Sequence, residues 1–114
     1  MVIWTLKEAI EVINMLDAEY ETSGWRFGLT GGVLRNGSSR KDLDIIAYPH
    51  KSVREDSYES VIALRELLVS KGWKLRVSGR EMRRYWLSKG SYDEKHVECW
   101  VGPGGRRVDV FIME

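Results

Sequence analysis

The sequence reads as a single α/β domain (residues 1–114), a mixed central sheet of about five strands with helices on one side. Three observations predict it. At 114 residues the chain can bury one real core and has no room for a second. Two stretches repeat apolar residues at helical spacing, and the runs between and after them alternate apolar with polar residues between Gly and Pro boundaries. The composition, 43% hydrophobic and 31% charged, excludes a disordered tail, a collagen-like repeat and a disulfide-stapled miniprotein.

The first helix is announced by Thr5 and Glu8, a capping-box pair, with Leu6, Ala9, Ile10, Ile13 and Leu16 as its apolar face. The group Thr22-Ser23-Gly24 ends it, Gly24 being able to take a left-handed terminal conformation. Trp25 to Leu29 is a short strand running into Gly31-Gly32, with a short helical segment beginning near Val33. Asp42 to Tyr48 is the next strand, stopped by Pro49. A second long helix over about Ser57 to Lys71 presents Val61, Ile62, Leu64, Leu67 and Leu68, and Gly72 closes it. Trp73 to Val77 is a strand, whereas Gly79 to Gly90 fits a short helix or an edge strand. His96 to Val101 and Arg106 to Met113, joined by Gly102-Pro103-Gly104-Gly105, make a β-hairpin.

Formal charge is nearly balanced at +1, which argues against a histone-like binder of DNA but leaves room for a local phosphate-binding surface. The N-terminal helix region is acidic, with Lys7 against Glu8, Glu11, Asp17, Glu19 and Glu21. A basic group follows later: Lys74, Arg76, Arg80, Arg83, Arg84 and Lys89, opposed by Glu81 alone. It reads as a solvated basic element or as a track for nucleic acid with Tyr85 or Trp86 for base stacking. The single Cys99 cannot form an internal disulfide, so a reducing, cytoplasmic setting is the simplest expectation. Cys99 shares a strand face with Val97 and Val101 and is expected in the core, and His50 and His96 are expected to be structural. No apolar run approaches a membrane span and no signal-type segment opens the chain, so no membrane partner is expected.

The chemistry concentrates between Leu29 and Ile45. Asp42 and Asp44 are two apart on an expected strand, so both side chains leave the same face while Leu43 and Ile45 point into the core. Two adjacent carboxylates repel, and a divalent cation offsets that directly. Oxygen ligands without a His/Cys cluster favour Mg²⁺ or Mn²⁺. Asp109, between the inward-facing Val108 and Val110, offers a third carboxylate, enough for a two-metal phosphoryl-transfer site, or is a cross-strand partner for a neighbouring Arg. Upstream, Gly31-Gly32 stands where a strand turns into a helix, a place where backbone N–H groups can approach a phosphate. Arg35, Arg40 and Lys41 are near enough in sequence to neutralise a triphosphate, or are simply solvated.

These residues resemble the signature of the polymerase-beta-type nucleotidyltransferase superfamily: a Gly-Gly pair, here Gly31-Gly32, nine residues, then Asp42-Leu43-Asp44-Ile45, with a distant Asp109 on a strand. Gly32 to Asn36 and Lys41 to Ile45 are most similar to the head of tRNA CCA-adding enzymes and poly(A) polymerases. The resemblance implies a palm-like fold in which Asp42 and Asp44 bind both metals. It implies that Asp109 binds one metal and helps activate the acceptor hydroxyl, and that the Gly31-Gly32 turn, with Arg35 and Lys41, receives the phosphates of a nucleoside triphosphate. The implied reaction transfers NMP from an NTP to an acceptor hydroxyl, an RNA 3′ end first, with release of pyrophosphate. The alternatives are nucleotidylation of a small molecule or protein, as in minimal antitoxin-type or antibiotic-modifying enzymes, and a non-catalytic nucleotide- or RNA-binding module. CCA-adding enzymes and poly(A) polymerases hold RNA with additional helical domains. Five residues follow Asp109 here, so a partner subunit, a homo-oligomer or a small acceptor is expected to supply that surface.

Overall fold

The computed structural model describes residues 3–50, 57–77 and 97–113. Five strands form the main sheet in the order β2-β4-β7-β6-β5: β2 (Trp25–Thr30), β4 (Asp42–Pro49), β5 (Lys74–Val77), β6 (Val97–Val101) and β7 (Arg107–Ile112). The β4–β7 pair is parallel and the other three pairs are antiparallel, so the sheet is mixed as expected. The β6–β7 hairpin turns through Pro103–Gly105, again as expected. The ambiguous stretch Gly79 to Gly90 lies outside the described residues, as do His96 and most of the basic group.

Sequence periodicity explains which face each strand buries. Along β4, Leu43, Ile45 and Ala47 are fully buried while Asp42, Asp44 and Ile46 alternate on the other side. Register carries the apolar face across the sheet, since Leu43 lies beside Val108 and Ile45 beside Val110. Trp25 and Phe27 extend it onto β2 and Trp100 onto β6. The helices α1 (Leu6–Asp17), α3 (Gly31–Asn36) and α4 (Ser57–Ser70) contribute Ala9, Val12 and Leu16, Val33, and Leu64, Leu67 and Leu68 to the same cluster. The opposite face of the sheet carries Asp42, Asp44 and Asp109.

Three local expectations are corrected. The α1 face is Ala9, Val12 and Leu16 with Ile13 partly buried beside them, while Leu6 and Ile10 are exposed, because the core-facing stripe is narrower than the apolar spacing and Val12 sits nearer its centre. The helix ends at Asp17, not at the Thr22-Ser23-Gly24 group. A separate turn, α2 (Tyr20–Ser23), follows and closes on Gly24 at φ 78°. The physical reason is Asp17, whose carboxylate accepts from Arg26 at 2.8 Å and from the Phe27 amide at 3.1 Å, tying the helix end to β2. Finally, α3 starts at Gly31, two residues before Val33. A small second sheet, β1 (Trp4–Thr5) with β3 (Ser38–Ser39), is too short to show alternation in sequence.

Two polar clamps tie the layers. Trp4 is fully buried and its indole N–H donates to the Arg107 carbonyl at 3.1 Å, while Arg106 stacks over its ring at 3.8 Å and donates to Glu8 of α1 at 2.6 Å. Between α4 and the sheet, Arg65 donates to the fully buried Glu98 of β6 at 3.1 Å.

Candidate metal centre

The parallel β4–β7 pairing builds the site. Register places Asp44 directly beside Asp109 and Asp42 beside Arg107, so alternation puts all four side chains on the sheet face away from the helices. The ligand oxygens of Asp42, Asp44 and Asp109 all lie within 4.8 Å of one another. Asp109 is expected to face outward; it shares the outward face but is only 7% exposed. No described helix is long and apolar enough to cross a membrane.

The Gly31-Gly32 turn is packed onto this cluster. Gly31 has φ +72°, and a Cβ there would run into Oδ2 of Asp44 and come 2.8 Å from its Cβ. Only glycine satisfies both the left-handed backbone and the close approach. The Gly32 amide favours the charged form of the Asp44 carboxylate. The double glycine therefore orients a carboxylate directly, a role that its spacing in the sequence does not reveal. Ser39 Oγ accepts from the Lys41 and Asp42 amides at 3.2 and 3.3 Å, holding the chain where it enters β4.

Electrostatics mark the cluster as short of positive charge. Burial, with the charges of Asp42 and Asp109, pushes the Asp44 carboxyl up to about 6, against the opposing pull of Arg107 and the Gly32 amide. Asp42 is also raised, first by burial and then by its hydrogen bond to Asp109 and the Asp109 charge, with Arg107 and Lys41 opposing. Carboxylates forced together in this way fit hard divalent cations, which supply the missing charge and accept oxygen ligands. Asp42, Asp44 and Asp109 would hold such ions.

Of the other expected site residues, Lys41 is exposed but near enough to stabilise the Asp42 charge, and Arg35 is exposed in the last turn of α3. The residue that sequence reasoning missed is Arg107. Its Nε and Nη2 donate to Oδ1 and Oδ2 of Asp109 at 2.9 and 3.1 Å, and Nε stands 3.9 Å from Asp42. Its signal was present, two residues before Asp109 and hence on the same face. Cys99 is buried as expected, but it lies opposite Asp109 on the carboxylate face, outside the main apolar cluster. Burial raises its thiol, and a hydrogen bond to Asp109 acts in the same direction.

Comparison of the structure with solved ones decides the fold. Terminal uridylyl transferase 4 from Trypanosoma brucei, with bound dUTP, matches at TM-score 0.58 and 12% identity, covering 96% of this chain and 36% of that one. Cid1, an RNA terminal uridylyl transferase, matches at TM-score 0.57 and 13% identity, covering 94% and 31%. The chain shares the fold of part of these terminal uridylyl transferases. A cytoplasmic RNA terminal U-transferase gives a similar likeness, with TM-score 0.57, 12% identity and coverage of 95% and 29%. The chain spans about a third of the length of these enzymes. No family model matches the sequence, and no curated protein matches it. The finer similarity to CCA-adding and poly(A) polymerase heads rests on the sequence motif alone.

Proposed function

We propose that the protein is a divalent-metal-dependent nucleotidyltransferase acting on an RNA 3′ end. The observation that carries this reading is the triad Asp42, Asp44 and Asp109, gathered within 4.8 Å on neighbouring parallel strands of a nucleotidyltransferase fold. Bound Mg²⁺ or Mn²⁺ would neutralise triphosphate charge and lower the barrier to in-line displacement. Asp42 and Asp44 would hold both ions and Asp109 one of them, with Asp44 packed against Gly31. Asp109 positions the acceptor side. The acceptor hydroxyl oxygen bonds to the α-phosphorus, its proton is released, and the bond to pyrophosphate breaks. Arg35 and Lys41 are assigned to the triphosphate on their exposure beside the motif.

Support for RNA as acceptor comes from the neighbours, which are named as RNA terminal uridylyl transferases, one of them solved with Mg and 3′-dATP bound. The test is transfer from each of four α-labelled NTPs, with Mg²⁺ or Mn²⁺, into pooled RNA and protein, beside the Asp42→Asn/Asp44→Asn double variant. Label in RNA that the variant fails to add supports the reading. Label in protein moves the acceptor to a polypeptide, and metal-dependent NTP binding without label moves it to a small molecule. Absence of NTP binding overturns the enzyme reading in favour of a non-catalytic module.

A further inference from the structure

We propose that Arg107 is a displaceable internal cation: it occupies Asp109 until a divalent ion replaces it, so the affinity for that ion is set by a competition inside the site. The inference rests on the metal-dependent reading above.

Both Asp109 oxygens are engaged by one planar fork, at 2.9 and 3.1 Å. These are charge-assisted bonds in parallel, the strong kind. A dication ligated by the same oxygens would stand a few Å from a fixed guanidinium, in a partly buried place where like charges repel several times more strongly than in water. Arg107 and the ion therefore exclude each other from Asp109.

The structure also shows which partner yields. The Asp109 side chain is 9% exposed and held in the middle of the sheet between β4 and β6, whereas the Arg107 side chain is 43% exposed. The carboxylate has nowhere to go, and the guanidinium can move into water. Its neighbour Arg106 differs: that side chain is committed to the Pro103 and Ile3 carbonyls, to Glu8 and to the Trp4 ring. Of the two adjacent arginines, one staples the fold and the other balances the carboxylates. Nε also stands 3.9 Å from Asp42, so Arg107 is within ion-pair reach of a second acid.

Mn²⁺ titration by calorimetry on the wild type, Arg107→Lys, Arg107→Gln and Asp44→Asn tests this without any turnover. Lysine keeps the charge but cannot form the fork, so it separates displacement of the fork from repulsion at a distance. The expected result is binding about tenfold tighter for Arg107→Gln and about threefold tighter for Arg107→Lys. Nuclear magnetic resonance of the wild type supplies a readout that needs no variant to fold. The Arg107 Nε–H signal, protected without metal, is expected to shift and lose protection as Mg²⁺ saturates. Arg107→Lys binding Mn²⁺ no more tightly than the wild type, or an Nε–H that stays protected at saturating Mg²⁺, overturns the proposal and leaves Arg107 as a positioning residue for Asp109. Equal Mn²⁺ affinity in the wild type and Asp44→Asn is a different failure, because it removes the metal centre itself and the inference with it.

Discussion

Asp44 illustrates how one side chain can be unfavourable for the fold and yet, on the proposed function, be required by the site. Its carboxyl is raised to about 6 because burial and two neighbouring carboxylates disfavour its charge. An acid raised in the folded state contributes its stability below the unfolded value of 3.8 and loses it as pH climbs through about 6. Without metal, the protein is therefore expected to lose stability across that window. At pH 7, Asp42→Asn/Asp44→Asn should abolish transfer yet raise metal-free stability by about 1 kcal/mol once solvent screening is allowed for, seen as a higher midpoint in thermal unfolding. Proton competition gives a second expectation at the same residue. Mn²⁺ affinity should fall steadily as pH drops below about 6, read by titration calorimetry at fixed ionic strength. Gly31→Ala should cost about 2 kcal/mol and at least tenfold in metal affinity, since the added methyl meets the Asp44 carboxylate and the backbone is left-handed. An unaltered metal affinity in that variant would show that the glycine does not orient Asp44.

Elements hold these residues in place through a few specific joints. The capping box at Thr5 and Glu8 begins α1, and Glu8 also receives Arg106 from the loop before β7, so one side chain serves both helix and sheet. Thr5→Ala should destabilise by about 1 kcal/mol in denaturant unfolding while leaving metal binding unchanged. Elements were legible in sequence where a local rule governs them: capping at Thr5, alternation along Asp42 to Tyr48, the Gly/Pro turn before Arg106. Elements were misjudged where a distant contact decided. Asp17 ends α1 because Arg26 and Phe27 of β2 claim its carboxylate, and nothing in the spacing of apolar residues could signal that. Leu6 and Ile10 fit the helical period yet stay exposed, because the period gives a direction on the helix and the sheet decides how wide a stripe it covers.

At the scale of the whole molecule, the two faces of one sheet divide the work. The face under α1, α3 and α4 is apolar except for the buried Glu98 and carries the stability; the other face carries three carboxylates, Arg107 and Cys99. Ligand binding to the second face should stabilise the whole, since an ion that binds only the folded state adds free energy by mass action. Mg²⁺ at about 100 times its dissociation constant is expected to add about 2.7 kcal/mol, and Asp44→Asn should remove that gain.

By itself the sequence determined which residues of each strand share a face, because side chains alternate with period two whatever the neighbours are. It thereby determined that Asp42 goes with Asp44 and that Leu43 and Ile45 oppose them. Only the tertiary structure decided that β7 lies parallel to β4 in a register placing Asp109 beside Asp44 and Arg107 beside Asp42. It likewise decided that Cys99 lies on the carboxylate side of the sheet. Alternation defines parity along one strand, but the choice and register of the adjacent strand come from packing the helices over the shared apolar face.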